Sequence, residues 1–168
     1  WESNDSNEVN RKLTYKELHE QVCRFANVLE NNGIVKGDRV CLYMPMIPEL
    51  AVAVLACARV GAIHSVVFAG FSAQSLSDRI NDSACKVLVT ADGLYRGSKI
   101  VGLKEICDDA LKNAPSIEKV IVYKRTQQEI NMQLGRDVWW HSEMQKAAAN
   151  FDAIEMDSED PLFILYTS

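Results

Sequence analysis

Hydrophobic positions along the chain switch repeatedly between a helical and a strand-like period. Thr14 stands three residues before Glu17, the spacing of a capping box in which the two side chains reciprocally satisfy early helix N–H groups. Leu18, Val22, Phe25, Ala26 and Leu29 then recur at helical spacing, and Gly33 lies where that helix would stop. After a turn at Lys36-Gly37-Asp38, Val40 to Met44 is an apolar run of strand length closed by Pro45. Pro48 and Glu49 suit the first turn of a second helix, Pro48 to Val60, which is apolar nearly all round and should be buried on more than one side.

Beyond Gly61, Ile63 to Val67 predicts a second strand, Ser72 caps a helix reaching about Asn81, and Lys86 to Thr90 predicts a third strand. A loop from Ala91 to Lys99 leads to a helix around Leu103 to Asn113, and Lys119 to Tyr123 reads as a fourth strand. Lys124 to Arg136 is a polar excursion, a surface hairpin or loop; Asp137 to Ala149 reads as helix and Leu162 to Tyr166 as a fifth strand. Short β-rich runs alternating with helices predict an α/β fold, a mostly parallel doubly wound sheet flanked by helices. In such sheets ligands bind beyond the carboxyl ends of the strands, so the segments that follow each strand are the places to seek function.

Composition narrows the class. The 168 residues are one domain's worth of chain, and 48% hydrophobic with 24% charged residues is a globular balance. A net charge of -5 argues against an electrostatic grip on nucleic acid or an anionic membrane. No apolar run is long enough to cross a bilayer, and Trp1 to Asn10 resembles no signal peptide, which points to a cytoplasmic protein. Cys23, Cys41, Cys57, Cys85 and Cys107 are odd in number, widely spaced and set in apolar segments, the pattern of buried reduced thiols rather than a metal site. His19, His64 and His141 make no metal-ligand spacing, and His64, among apolar strand neighbours, reads as a satisfied packing residue.

Three segments carry candidate chemistry. Phe68-Ala69-Gly70-Phe71 lies between strand and helix, where Gly70 could let a ligand approach the backbone and a ring could pack on a flat base; the competing reading is a tight turn with its aromatics in the core. Arg96-Gly97-Ser98-Lys99 follows the third strand and can offer guanidinium, hydroxyl, ammonium and backbone donors to one phosphate; the competing reading is a solvated charged loop. Thr167-Ser168 follows the last strand as a phosphate loop would begin, without the glycines and lysine that complete one, so the chain reads as a segment of a longer protein. No nucleophile stands beside a base in an elbow such as G-x-S-x-G, so chemistry by the segment alone is not supported.

The runs Leu13 to Leu18 (LTYKEL), Val40 to Glu49 (VCLYMPMIPE), Ala58 to Ser72 (ARVGAIHSVVFAGFS), Arg136 to His141 (RDVWWH) and Glu159 to Ser168 (EDPLFILYTS) resemble, in order, the AMP-forming acetyl-CoA synthetases of the adenylate-forming superfamily. The resemblance implies residues 1–168 of a large N-terminal AMP-binding domain, with a polar leader at 1–12 and a C-terminal lid domain outside the sequence. It implies small-molecule substrates, acetate, ATP and CoA, with magnesium supporting adenylation, and the rest of the same polypeptide as partner. By the same resemblance Phe68, Ala69, Gly70, Arg96, Gly97, Ser98 and Lys99 face CoA, and Thr167 and Ser168 open the ATP phosphate loop. Two departures stand out: Ala69 replaces a glycine, and Lys99 replaces an arginine and so lacks the bidentate fork. A propionyl-CoA or other short-chain acyl-CoA synthetase and a non-catalytic CoA- or nucleotide-binding module are the alternatives.

Overall fold

The computed structural model describes residues 1, 3 and 10–167. Six parallel strands form one sheet in the order β7-β6-β3-β1-β2-β8. They are β1 (Arg39–Tyr43), β2 (Ile63–Val66), β3 (Val87–Ala91), β6 (Lys119–Tyr123), β7 (Asp137–Trp139) and β8 (Phe163–Ile164). The remaining two, β4 (Gly93–Arg96) and β5 (Lys99–Gly102), pair antiparallel as a separate hairpin. The α/β doubly wound sheet inferred from the sequence is thus observed, with every described pairing in the main sheet parallel.

Alternation along β1 divides the core. Val40 and Leu42 point to one face, where α1 (Tyr15–Asn31), α2 (Pro48–Arg59) and α5 (Trp140–Lys146) pack; Cys41 and Tyr43 point to the other, where α3 (Ala73–Ser83) and α4 (Leu103–Leu111) pack. Trp140 anchors the first layer, buried with its ring stacked 3.9 Å from that of Phe25. All five cysteines are buried and free, in agreement with the expectation of buried reduced thiols. Burial is the leading cause that pushes the Cys107 thiol up to about 12. No helix among the described residues is long and apolar enough to cross a membrane.

Local chemistry starts and stops the helices. At α1 the Thr14 hydroxyl accepts from Glu17 N–H at 3.2 Å while the Glu17 carboxylate accepts from Thr14 N–H at 2.7 Å, completing the capping box. Thr14→Ala is therefore expected to lower stability by about 1 kcal/mol, with Thr14→Ser restoring most of it; denaturant unfolding measures this. Equal midpoints for all three chains would mean that the box contributes nothing.

The structure corrects several boundaries. The expected loop from Ala91 to Lys99 is instead the first strand and turn of the β4–β5 hairpin, since Gly97, at a φ of +61°, turns the chain in a two-residue connection with Ser98. A positive φ at the first of two central residues is the type II′ requirement that glycine meets. Asp137–Trp139 is strand rather than helix, because it pairs in parallel with β6 before α5 begins. β8 is shorter than the apolar run that predicts it, since it pairs with β2 through only two residues. Within the polar stretch 1–12, Trp1 Nε1–H donates to Met46 O, and Arg11 forms an ion pair at 2.8 Å with the buried Glu49 at the start of α2.

Candidate functional site

The chain leaves β1 toward the α1/α2 face and leaves β2 and β3 toward the α3/α4 face, so β1 is flanked by connections that diverge beyond its carboxyl end. That is the place where open parallel sheets hold ligands. The candidate segments all follow carboxyl ends along this edge: the β4–β5 hairpin after β3, the Phe68–Phe71 turn after β2, and Thr167 after β8. With strands about 4.8 Å apart, the first and last of these lie about 15 Å apart along the sheet. Ser168 falls outside the described residues.

At the hairpin tip Arg96 and Lys99 are exposed cross-strand partners, and Gly97 and Ser98 form the turn between them. Like charges directly opposite each other destabilise a hairpin. The pair therefore does not favour the hairpin by itself, and it presents two cations and a hydroxyl from one tip.

The Phe68–Phe71 turn resolves its two competing readings residue by residue. Ala69 is buried in the α3/α4 core layer, whereas Phe68 is 67% exposed and meets Phe71 edge-on at 5.8 Å between ring centres. The methyl that distinguishes Ala69 from glycine thus points into the core rather than toward a ligand. Gly70 lies under the Phe68 ring: a Cβ there would stand 2.4 Å from it and push the exposed ring aside. The Tyr43 hydroxyl, kept protonated because burial pushes its pKa up, donates to Phe71 O at 2.7 Å and pins the turn to β1.

Sequence reading missed the side chain that ties this turn to the last strand. The Arg79 guanidinium on α3 lies 4.6 Å from the Phe71 ring centre and 5.1 Å from that of Tyr166. The Tyr166 hydroxyl donates to Asp82 at 2.6 Å, and burial followed by the Asp82 carboxylate pushes its pKa up to about 12. Arg79 and Asp82 stand three residues apart on one helix face, a spacing visible in the sequence, but Tyr166 is far away along the chain.

His64 corrects a further expectation. It is buried on β2, yet among the described residues its Nδ1 has no hydrogen-bond partner, so it is not the satisfied packing residue expected. Burial pushes its pKa down. A histidine that resists protonation only when folded withdraws stability as pH falls below its unfolded pKa, because the unfolded chain binds the proton first. Between about pH 7 and about pH 5, stability should therefore fall more steeply in the wild type than in His64→Leu, measured by denaturant midpoints. Parallel pH profiles would contradict this.

Across residues 4–168 the sequence matches the AMP-binding enzyme family. The chain belongs to that family. This AMP-binding enzyme chain is 55% identical over 168 residues to the acetyl-coenzyme A synthetase of Bdellovibrio bacteriovorus and 59% identical over 168 residues to that of Rubrobacter xylanophilus, in each case across 100% of this chain and 26% of the relative. It thus spans about a quarter of the length of these curated relatives. The solved Brucella canis acyl-CoA synthetase shares the fold, with a TM-score of 0.76 at 22% identity over 94% of this chain and 26% of that one.

Proposed function

We propose that this chain is the front part of an AMP-forming acetate–CoA ligase, and that its carboxyl-edge loops hold the nucleotide portion of CoA. The observation that carries the reading is identity above half, maintained across the whole chain, to proteins named acetyl-coenzyme A synthetase. The like-charged hairpin tip supports the CoA assignment, because an anionic phosphate relieves the repulsion between Arg96 and Lys99. Gly97 and Ser98 add backbone and hydroxyl donors at the same tip, and the exposed Phe68 ring beside Gly70 offers a flat apolar surface for a base. Thr167, after β8, would open the loop that receives the ATP phosphates, with Ser168 following it.

The complete enzyme would activate acetate with ATP, releasing pyrophosphate, and pass the acetyl group from the adenylate to the CoA thiol. In this division of labour the loop residues of this chain bind and orient; none moves a proton or attacks a carbonyl. Magnesium would neutralise charge on the ATP phosphates. The carboxylates on this edge do not fit it, since Asp82 accepts from Tyr166 and Asp92 from backbone N–H groups, so no step here runs through the metal.

The test is acetate-dependent exchange of labelled pyrophosphate into ATP, together with thioester formation from acetate, ATP and CoA, by the complete protein. Both are expected in the complete protein, and neither in the isolated 168 residues. A complete protein inactive in both assays, or exchange by the isolated chain, would overturn the respective half of the reading.

A further inference from the structure

Asp92, between β3 and the hairpin, is fully buried and no motif singles it out. Its Oδ1 accepts from the backbone N–H groups of Gly93 at 2.7 Å, Arg125 at 2.8 Å and Thr126 at 3.0 Å, and its Oδ2 from those of Thr126 at 3.1 Å and Gln127 at 2.7 Å. Its own main chain continues the joint, with its N–H donating to Tyr123 O and its carbonyl accepting from Leu103 N–H at the start of α4. One side chain thus fastens the root of the hairpin to the loop that follows β6.

Two observations make this joint more than ordinary packing. Gln127 holds a φ of +59°, a region that side-chain-bearing residues rarely adopt, and its N–H is one of those bound by Asp92. The same loop reaches the hairpin a second time, where the Arg125 guanidinium lies 5.2 Å from the ring centre of Tyr95, next to Arg96. Both oxygens of the residue at position 92 must accept. An asparagine supplies one accepting oxygen and one NH2 donor, so either orientation sets a donor against N–H groups.

We propose that Asp92 is a positioning residue for CoA: by holding the hairpin root against residues 125–127 it fixes the direction in which Arg96 and Lys99 present their charges. This rests on the proposed ligase reading and adds a residue that touches no ligand. A backbone joint of this kind acts at a distance because a two-stranded ribbon is marginal alone and takes its orientation from where it is anchored.

The experiment compares wild type, Asp92→Asn, Arg96→Ala/Lys99→Ala and the triple variant in the complete protein. Asp92→Asn is expected to raise the KM for CoA by about tenfold, leave pyrophosphate exchange within about twofold, and add nothing in the Arg96→Ala/Lys99→Ala background. Equal damage to both half-reactions, or a further CoA defect in the triple variant, would overturn it, since a merely structural role predicts those. Gly93→Ala tests the same joint with the carboxylate retained, because its Cβ would stand 2.7 Å from Thr126 Oγ1 and 2.9 Å from Val101 O. It carries the comparison if Asp92→Asn does not fold, with the same outcomes. Amide hydrogen exchange supplies a readout independent of activity: faster exchange across residues 93–102 and 125–127 in the variant, with α1 unchanged, is expected, and unchanged hairpin protection would overturn the proposal. Wild type inactive with acetate, ATP and CoA would sink the ligase reading, whereas active wild type with unaltered hairpin exchange in the variant sinks only the role of Asp92.

Discussion

Arg96→Ala in the complete enzyme is expected to raise the KM for CoA by about ten- to a hundredfold, because a hydrogen bond to a charged group contributes about 1.5–3 kcal/mol. Acetate-dependent pyrophosphate exchange should remain within about twofold of wild type, since Arg96 lies at the hairpin tip after β3 and Thr167 after β8, at the far side of the sheet edge. Arg96→Lys should recover only part of the loss: an ammonium keeps the charge but not the planar fork. Lys99 already departs in this way from the arginine of the resembling family, so Lys99→Arg is expected to lower the KM for CoA. Steady-state thioester formation read against exchange decides the matter, and equal losses in both half-reactions would count against a CoA role for the tip.

Lys104→Met is expected to destabilise the fold by about 3–5 kcal/mol, the cost of leaving one partner of a buried ion pair uncompensated. At about 2–4 °C per kcal/mol for a domain of this size, the melting temperature should fall by about 6–20 °C. The Lys104 ammonium is fully buried, donating to Asp108 at 2.7 Å, Asn131 O at 2.8 Å and Asp137 at 2.9 Å. Arg136 binds both carboxylates from the other side, so the four charges form a closed network between α4 and β7. Asp137→Leu added to Lys104→Met should regain part of the loss, because it removes the surplus carboxylate and leaves Arg136 paired with Asp108. A loss below about 1 kcal/mol for Lys104→Met would contradict the account.

The same network contributes to stability in acid. Burial by itself pushes Asp137 up, but hydrogen bonds from Arg136, Lys104 and Gln133 N–H outweigh it and hold the carboxyl below its usual range. A carboxylate depressed in the folded state contributes stability above its unfolded pKa, and that contribution disappears as pH falls through the folded one. Acid unfolding should therefore shift to higher pH in Asp137→Asn, separately from the histidine-dependent loss nearer neutrality.

What was legible in the sequence follows the range of the interactions. The amphipathic period of α1, its Thr14–Glu17 cap and the bounds of α2 are local, and each is found where the pattern puts it; the expected burial of α2 on more than one side is not, since Glu49, Leu50, Val52, Ala53, Ala56 and Cys57 form one buried face while Ala51 and Leu55 on the opposite side are exposed. The hairpin was not legible as strands, since Ala91 to Lys99 is rich in polar residues and glycine; the Gly97-Ser98 pair between flanking residues of strand type is the signal that could have given it. Asp137–Trp139 reads as helix in the sequence because its pairing with β6 lies across a polar excursion that conceals it. Of the candidate site, the charged and aromatic tips were legible because their chemistry is written in consecutive residues. Their supports were not: Asp92 meets residues 125–127, and Arg79 meets Tyr166, through contacts that only the folded sheet creates.

The grip of the hairpin on CoA is tested most directly by the ratio of kcat/KM for CoA to that for dephospho-CoA, in the complete wild type and in Arg96→Ala/Lys99→Ala. If the hairpin tip grips the phosphate that distinguishes the two thiols, wild type should prefer CoA by about tenfold or more and the double variant should lose most of that preference. The same preference in both proteins would contradict it.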